Sequence, residues 1–370
     1  TIALHDSCAA IENSLQPLFQ RLIVMLRPKP RRTKPTLLFT CSSDHNIKKW
    51  SICQHQNNQQ PMLKHLLTFK SLHEYSIFAL LFDQRTNHLV SCSLDETIRT
   101  WDFASGECQC TITTSPDEPM SMVWWQQEQY LITGTISTPY DIKIRKWHDA
   151  EKIGYNKKSF GAIVNTLHGH TDAVTNLLLV NKNKTLLSSS EDGTLRVWDL
   201  STTKQIKTLD DKVGIAAFCK LSQDLSNVLL IATVGNATSI NFWNVNTETC
   251  FFKFEKAHDD NISYMVYSAS ERVLVTTSYD QKVKIWNVDM SNKSPVSLKF
   301  EIKNPYEKGC LVCSFLNKAN AYDDNKEEET GSKVLVGDRI GNMFIVDVRT
   351  GSCDAQIEAH EDGIYYMLTI

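Results

Sequence analysis

The sequence predicts an all-β fold. Three observations carry that reading: a unit that returns every 43–60 residues, alternation of apolar and polar residues inside each copy, and short strand candidates on either side of it. The unit is an apolar run, a Ser/Thr-rich stretch, an Asp and a strand ending in Trp. It stands at 37–50, 89–101, 186–198 and 274–286, more loosely at 131–147 and 229–243, and most weakly at 333–346. The closing residues are Trp50, Trp101, Trp147, Trp198, Trp243, Trp286 and Val346, spaced by 51, 46, 51, 45, 43 and 60 residues. Three positions earlier every copy is apolar (Ile47, Ile98, Ile144, Leu195, Ile240, Val283, Met343), and two positions earlier it is mostly polar. That alternation has the period of a strand, not of a helix. A further strand candidate precedes the copy, as at 77–82, 174–180 and 262–267, and another follows it, as at 108–112, 205–209 and 249–254. Four short antiparallel strands per unit make one blade. Seven units therefore predict a seven-bladed β-propeller, in which each sheet buries both faces and leaves only short edges.

Composition fits that frame. The chain has 370 residues, 42% hydrophobic and 22% charged, as in ordinary globular proteins. A repeat architecture lets such a length form one unit. The expected organisation is a segment at 1–35, ending in the basic Pro-rich linker RPKPRRTKP at 27–35, followed by the propeller at 36–370. A net charge of −3 provides no field to gather nucleic acid or anionic membrane. The longest aliphatic run, 22–26, is too short to span a bilayer. The first residue, Thr1, reads as the start of a piece cut from a longer chain. Of eleven cysteines, Cys310 and Cys313 have the spacing of half a zinc site, but a structural zinc needs four ligands. In a strand their side chains are expected on opposite faces, as core thiols in a reducing compartment, cytoplasmic or nuclear. No metal or cofactor is expected.

Three copies carry one polar set at fixed spacing: His73, Ser91, Asp95 and Trp101; His170, Ser188, Asp192 and Trp198; His258, Thr276, Asp280 and Trp286. From His to Asp is 22 residues each time, from Ser/Thr to Asp 4, and from Asp to Trp 6. A buried indole N–H needs an acceptor, which a hydroxyl supplies. The hydroxyl can then donate to imidazole, and the Asp accepts from the other ring nitrogen and from turn amides. Ser, His and Asp also compose a hydrolase triad, but an enzyme needs one in an open cleft. Several copies, each closed by a Trp donor, point to structure instead. In these residues the chain resembles the WD-repeat β-propeller family, whose structural tetrad is His, Ser/Thr, Asp and Trp. The other copies depart from it. The third keeps Asp141 and Trp147 with Thr133 as the expected hydroxyl and no His; the fifth has Ala237 in place of Asp; the seventh has Ile340 and Val346 at the Asp and Trp positions.

The first copy has Thr40, Asp44 and Trp50 but no His ahead of it, while the C-terminal AHEDGIYYMLTI matches AHDDNISYMVYS of the sixth. His360 is therefore expected to complete the first tetrad, and 364–370 to be the missing inner strand of blade one. The family closes its ring in this way. The competing register makes residues 21–26 that strand, but supplies no His. The acidic insertion at 319–333 is expected to be a mobile loop.

The resemblance implies a non-catalytic scaffold or a receptor for peptides and substrates. The alternatives are a propeller-framed hydrolase or isomerase, and a structural subunit of a large assembly. Acidic residues follow the tetrad histidines: Glu74, Asp172, Asp259, Asp260, Glu361 and Asp362, with Glu191 beside them and Tyr75 and Tyr279 as aromatic neighbours. If these loops converge on the narrow face around the channel, the family's usual peptide site, they favour a basic protein or peptide segment. The competing reading is turn chemistry. No nucleic acid, membrane or small-molecule partner is expected.

Overall fold

The computed structural model describes residues 36–54, 61–69, 72–147, 161–180, 184–210, 215–221, 230–235, 238–292, 294–317 and 330–370. Among them every regular element is a strand, and the strands pair into seven antiparallel sheets of four. Blades two to seven take their strands in chain order. Blade one is assembled from both ends of the fold: Ile364–Thr369 pairs with Thr36–Ser42, followed outward by Ile47–Gln54 and Pro61–Phe69. The slot considered for residues 21–26 is thus filled by the C-terminal strand; those residues and the linker lie outside the described residues. The inner strands, Ile364–Thr369, Ile77–Asp83, Pro119–Trp125, Val174–Val180, Ile215–Lys220, Ile262–Ser268 and Cys310–Asn317, touch in that order, and the last returns to the first.

Apolar clusters fill the seven interfaces between neighbouring blades. Trp101, for example, joins Phe39, Phe69 and Ile77 between blades one and two, and Trp286 joins Phe242 and Ile262 between blades five and six. The closing side chain of a blade thus packs on the blade before it. Ring closure uses the same device: Trp50 of blade one packs with Leu335, Met343 and Ile345 of blade seven. The amides of Ala359 and His360 donate to the Gly341 carbonyl at 3.0 and 2.9 Å. Gly341 has φ +91°, and a Cβ there would lie 2.2 Å from the His360 carbonyl oxygen, so the contact requires glycine. At the opposite ends of the strands, cations join neighbouring blades: Lys49 Nζ donates to the Phe103 carbonyl at 2.8 Å and lies 3.9 Å from that ring's centroid, and Arg349 pairs with Glu271.

Every inner strand carries a bulge after its first residue, with Tyr365, Phe78, Met120, Thr175, Ala216, Ser263 and Leu311 as the extra residues. A bulge breaks strict alternation. This corrects the expectation for the cysteines: with Leu311 inserted, Cys310 and Cys313 share one face and one cluster between blades six and seven. The insertion also needs correction, because its last four residues open the strand Thr330–Asp338; residues 318–329 lie outside the described residues.

Blade three departs from the expected register. Leu131 pairs with Arg145, as Leu89 pairs with Trp101, so Arg145 occupies the place of the closing Trp. Trp147 stands two residues beyond, where blade two has Phe103: their amides donate to the carbonyls of Gln129 and Asn87. The insertion at 136–139 lengthens the hairpin turn, and the coincidence of Asp141 six residues before a Trp imitates the motif.

Deletion of residues 361–370 should strip blade one of its inner strand and expose an unpaired edge. The expected result is aggregation on size-exclusion chromatography and rapid proteolysis. A monodisperse, protease-resistant truncation would mean that another segment closes the ring.

Candidate functional site

Four polar chains run through the ring. In blade two, Trp101 Nε1 donates to Ser91 Oγ at 2.8 Å, Ser91 Oγ lies 2.8 Å from His73 Nε2, and His73 Nδ1 lies 2.8 Å from Asp95 Oδ2. Blade four repeats all three distances with Trp198, Ser188, His170 and Asp192. In blade six, Trp286, Thr276, His258 and Asp280 are linked at 2.9, 2.8 and 2.9 Å. Blade one joins Trp50, Thr40, His360 and Asp44 at 3.0, 2.7 and 2.8 Å across the two ends of the fold. The proton order follows from the donors. Indole only donates, so the hydroxyl accepts from it and gives its own proton to Nε2. Imidazole is then neutral with its proton on Nδ1, directed at the carboxylate.

Each Asp also organises two backbone segments. Its Oδ2 accepts the amide after the His, from Glu361, Glu74, Thr171 or Asp259 at 3.0–3.2 Å. Its Oδ1 accepts the amide two residues on, from Asn46, Thr97, Thr194 or Lys282 at 2.8–3.0 Å. A serine two residues earlier, not singled out by the sequence reading, completes the corner. Ser42, Ser93, Ser190 and Ser278 donate to the carbonyls of Asp362, Tyr75, Asp172 and Asp260 at 2.7–3.0 Å.

Burial pushes the carboxyls of Asp44, Asp95, Asp192 and Asp280 up, but hydrogen bonds from the histidine and the turn outweigh it. All four lie below the usual range, at about 2 for Asp95 and Asp280. Burial also holds His73, His170 and His360 below the ordinary imidazole value, against the opposing pull of their aspartates. Both shifts fit neutral histidine beside ionised aspartate. The hydroxyls are buried with the rings, and no open nucleophile faces a base in these chains.

The incomplete blades use other partners. In blade five Trp243 Nε1 still donates to Thr233 Oγ1 at 3.1 Å, while Ala237 lies outside the described residues. In blade seven Val346 replaces Trp, Val336 replaces the hydroxyl, and the acid moves two residues earlier: buried Asp338 accepts from the amides of Ile340 and Asn342 and from the side chains of Asn342 and Asn304. In blade three a buried pair, Arg145 Nη2 and Asp117 Oδ2 at 3.0 Å, takes over. Thr133 Oγ1 finds no hydrogen-bond partner among the described residues, so the expected hydroxyl role is not made. Asp141 does meet a histidine, His168, at 2.8 Å, but from beyond the outer strand and with its ring exposed.

The acidic loop residues divide into turn and mouth. Asp172, Asp260 and Asp362 each accept the next residue's amide at 2.7–2.8 Å, and Asp259 pairs with Lys282 at 2.9 Å. Glu74 and Glu361 are exposed and contribute their amides to the tetrads. Tyr75 is exposed. Around the end of the inner strands one residue per blade is fixed by donating its amide to the carbonyl just before the inner strand: Ser43, Leu94, Ile136, Glu191, Tyr279 and Arg339 among the described residues. Beside them stand the bulged residues, with the Phe78 and Tyr365 rings 4.7 Å apart. Burial, then Tyr365, raises the Tyr279 phenol, and Tyr279 and Arg339 both flank Gly309. Burial, then Asp172, raises the Glu191 carboxyl. The mouth is therefore less acidic than the loop sequences suggest and more aromatic. Sequence periodicity missed Phe78, Tyr365, Leu94 and Arg339 because the bulge that aims the first two leaves no mark in the hydrophobic pattern.

Comparison with known proteins places the repeats. The family model described as "WD domain, G-beta repeat" matches residues 64–102, 161–199 and 248–287, segments that take in the outer strand of one blade and run through the Trp-bearing third strand of blades two, four and six. The chain is similar to periodic tryptophan protein 2 of Arabidopsis thaliana, 26% identical over 60% of this chain and 23% of that protein. It is similar to a WD repeat-containing protein of Schizosaccharomyces pombe, 28% identical over 57% of this chain and 54% of that one. Human pre-mRNA-processing factor 17 is 23% identical over 68% of this chain and 48% of its own length. The chain thus spans about a quarter to a half of these relatives.

Replacing Asp192 or Asp280 with Ala leaves a buried imidazole and turn amides without their acceptor, at a cost of about 1–3 kcal/mol each. Differential scanning calorimetry should show a clear drop in Tm for both; two variants that melt with the parent would remove the structural role. Acid should act on the same chains. The depressed histidines make the unfolded chain bind protons first, so stability falls as pH drops below about 6.5. The depressed aspartates add a second loss between about pH 4 and their folded values. Urea midpoints at pH 7.5, 6 and 5 should decline in that order, and a midpoint that rises toward pH 5 would contradict the sign.

Proposed function

Because this chain belongs to the WD-repeat β-propeller family, we propose that it is a non-catalytic protein-interaction scaffold that receives a partner's peptide segment, with basic character, at the mouth ringed by the tetrad loops. The observation that carries the reading is the pair Glu191 and Asp172. Neither makes an ion pair among the described residues, burial and then Asp172 raise the Glu191 carboxyl, and the exposed Tyr279 ring stands at the equivalent turn position of blade six. A Lys or Arg brought to this place relieves like-charge repulsion and gains an aromatic face, worth about 0.5–2 kcal/mol. The fold of the tetrads supports a passive role, since their hydroxyl–His–Asp geometry, with Ser in two blades and Thr in two, is closed by the indole in each of four blades.

The relative named for pre-mRNA processing fits a scaffold at work in the nucleus or cytoplasm, and we place this chain there as well. A structural subunit of a large assembly is the same activity with a more permanent partner.

Reversing Asp172 and Glu191 to Lys should abolish affinity capture of the native partner while leaving Tm nearly unchanged. Capture by the parent should weaken with salt, because the screening length shrinks from about 10 Å at 0.1 M to about 3 Å at 1 M. Capture that survives both the reversal and high salt would move the interaction to the blade sides or the opposite face.

A further inference from the structure

We infer that the partner segment is dipolar: an acidic group, an apolar or aromatic side chain and a basic residue, in that spatial order from blade seven to blade four. This deepens the reading above and rests on it. The mouth is polarised. Its bulged residues include no charged side chain; they are Tyr365, Phe78, Met120, Thr175, Ala216, Ser263 and Leu311. Among the described anchored turn residues, charge stands at Arg339 on blade seven and at Glu191 on blade four, the latter with Asp172 near it. Neither makes an ion pair with any described residue, and Tyr279 on blade six flanks Gly309 together with Arg339. Between the two charges lies the apolar part, with Tyr279 42% exposed and the tilted Phe78–Tyr365 pair half-buried.

Close backbone approach holds this arrangement. A Cβ on Gly309 would meet the Tyr279 backbone and ring at 3.2 Å and Arg339 Cδ at 3.4 Å; one on Gly363 would meet Leu311 Cδ1 at 3.0 Å. Arginine, aromatic shelf and glutamate are thus built on short turns pinned to inner strands, not on mobile loops. An occupant of basic character alone satisfies Glu191 and sets its second cation against Arg339. Charge complementarity across an apolar floor fits a segment that carries one charge of each sign, separated by a side chain that covers the rings.

The test uses four fluorescein-labelled nonapeptides in a Gly–Ser frame, read by fluorescence anisotropy on the full chain. Their central pattern is Glu-x-Leu-x-Arg, Arg-x-Leu-x-Arg, Glu-x-Leu-x-Glu or Glu-x-Ser-x-Arg. The expected order places the first above the rest, with up to about fivefold per exposed charge. Arg339→Glu should turn the preference to the dibasic peptide, Glu191→Lys to the diacidic one, and Phe78→Ser should erase the advantage of Leu over Ser. Equal or tighter binding of the dibasic peptide by the parent, a ranking unmoved by Arg339→Glu, or no binding of any peptide above the bare frame overturns the inference. Loss of native capture on reversal of Asp172 and Glu191, with a failed peptide ranking, keeps the mouth as the site and removes the dipolar order. A correct ranking with capture intact keeps the order and removes the mouth as the native partner's site.

Discussion

A tryptophan pressed between two sheets has to give its indole proton to something, and much of this ring follows from that. In blades one, two, four and six the acceptor is a hydroxyl with no exposure to water. The hydroxyl's own proton then needs a place, which fixes the neutral histidine and its tautomer, and the histidine's second proton needs the aspartate. The aspartate spends its remaining lone pairs on two sets of turn amides. One packing choice at the outer end of the chain of bonds thus fixes the conformation of the loops at the other end. Where the network is fully satisfied, burying it costs little; with one member missing, the cost falls on the groups left behind.

The departures obey the same accounting. Blade seven loses the indole, and its hydroxyl goes with it: Val336 and Val346 occupy the places that Ser91 and Trp101 hold in blade two, both fully buried. With no donor to satisfy, no histidine is required, and Asp338 with two asparagines holds the turn directly. Blade five keeps indole and hydroxyl together. Blade three is the expensive case, since a guanidinium fills the indole site and is neutralised by Asp117, while Thr133 keeps an unused hydroxyl. An ion pair buried in this way is weak as a source of stability but costly to break.

This explains which parts of the molecule were legible in the sequence. The repeat, its strand period and the closure through the C-terminal segment could be read because they rest on apolar spacing and on a few polar residues that recur at fixed distances. The His-to-Asp spacing of 22 in three blades names the same residues that the hydrogen bonds join. Failures occurred where one inserted or shifted residue decides the outcome. The bulge at Leu311 put Cys310 and Cys313 on one face, the lengthened turn of blade three displaced Trp147 by two positions, and the acid of blade seven moved from 340 to 338. None of these changes the hydrophobic pattern enough to be read from one sequence.

The bulge is also what separates structure from recognition in this fold. It sits one residue inside the inner strand, so the amide ladder resumes at once and the tetrad below keeps its geometry, while the extra side chain leaves the strict in-and-out alternation of the strand. The neighbouring turn residue is held by a backbone bond alone, which any residue type can make. These two positions are therefore the ones where sequence is free of the repeat's demands. Their contents bear this out: aromatic on blades one, two and six, aliphatic on three with Met120 and Ile136, acidic on four and cationic on seven. The tetrad positions, by contrast, are nearly identical in blades one, two, four and six. A ligand that reads this protein and not another propeller has to read the bulge and turn positions, because the rest of the rim is committed to holding the blades.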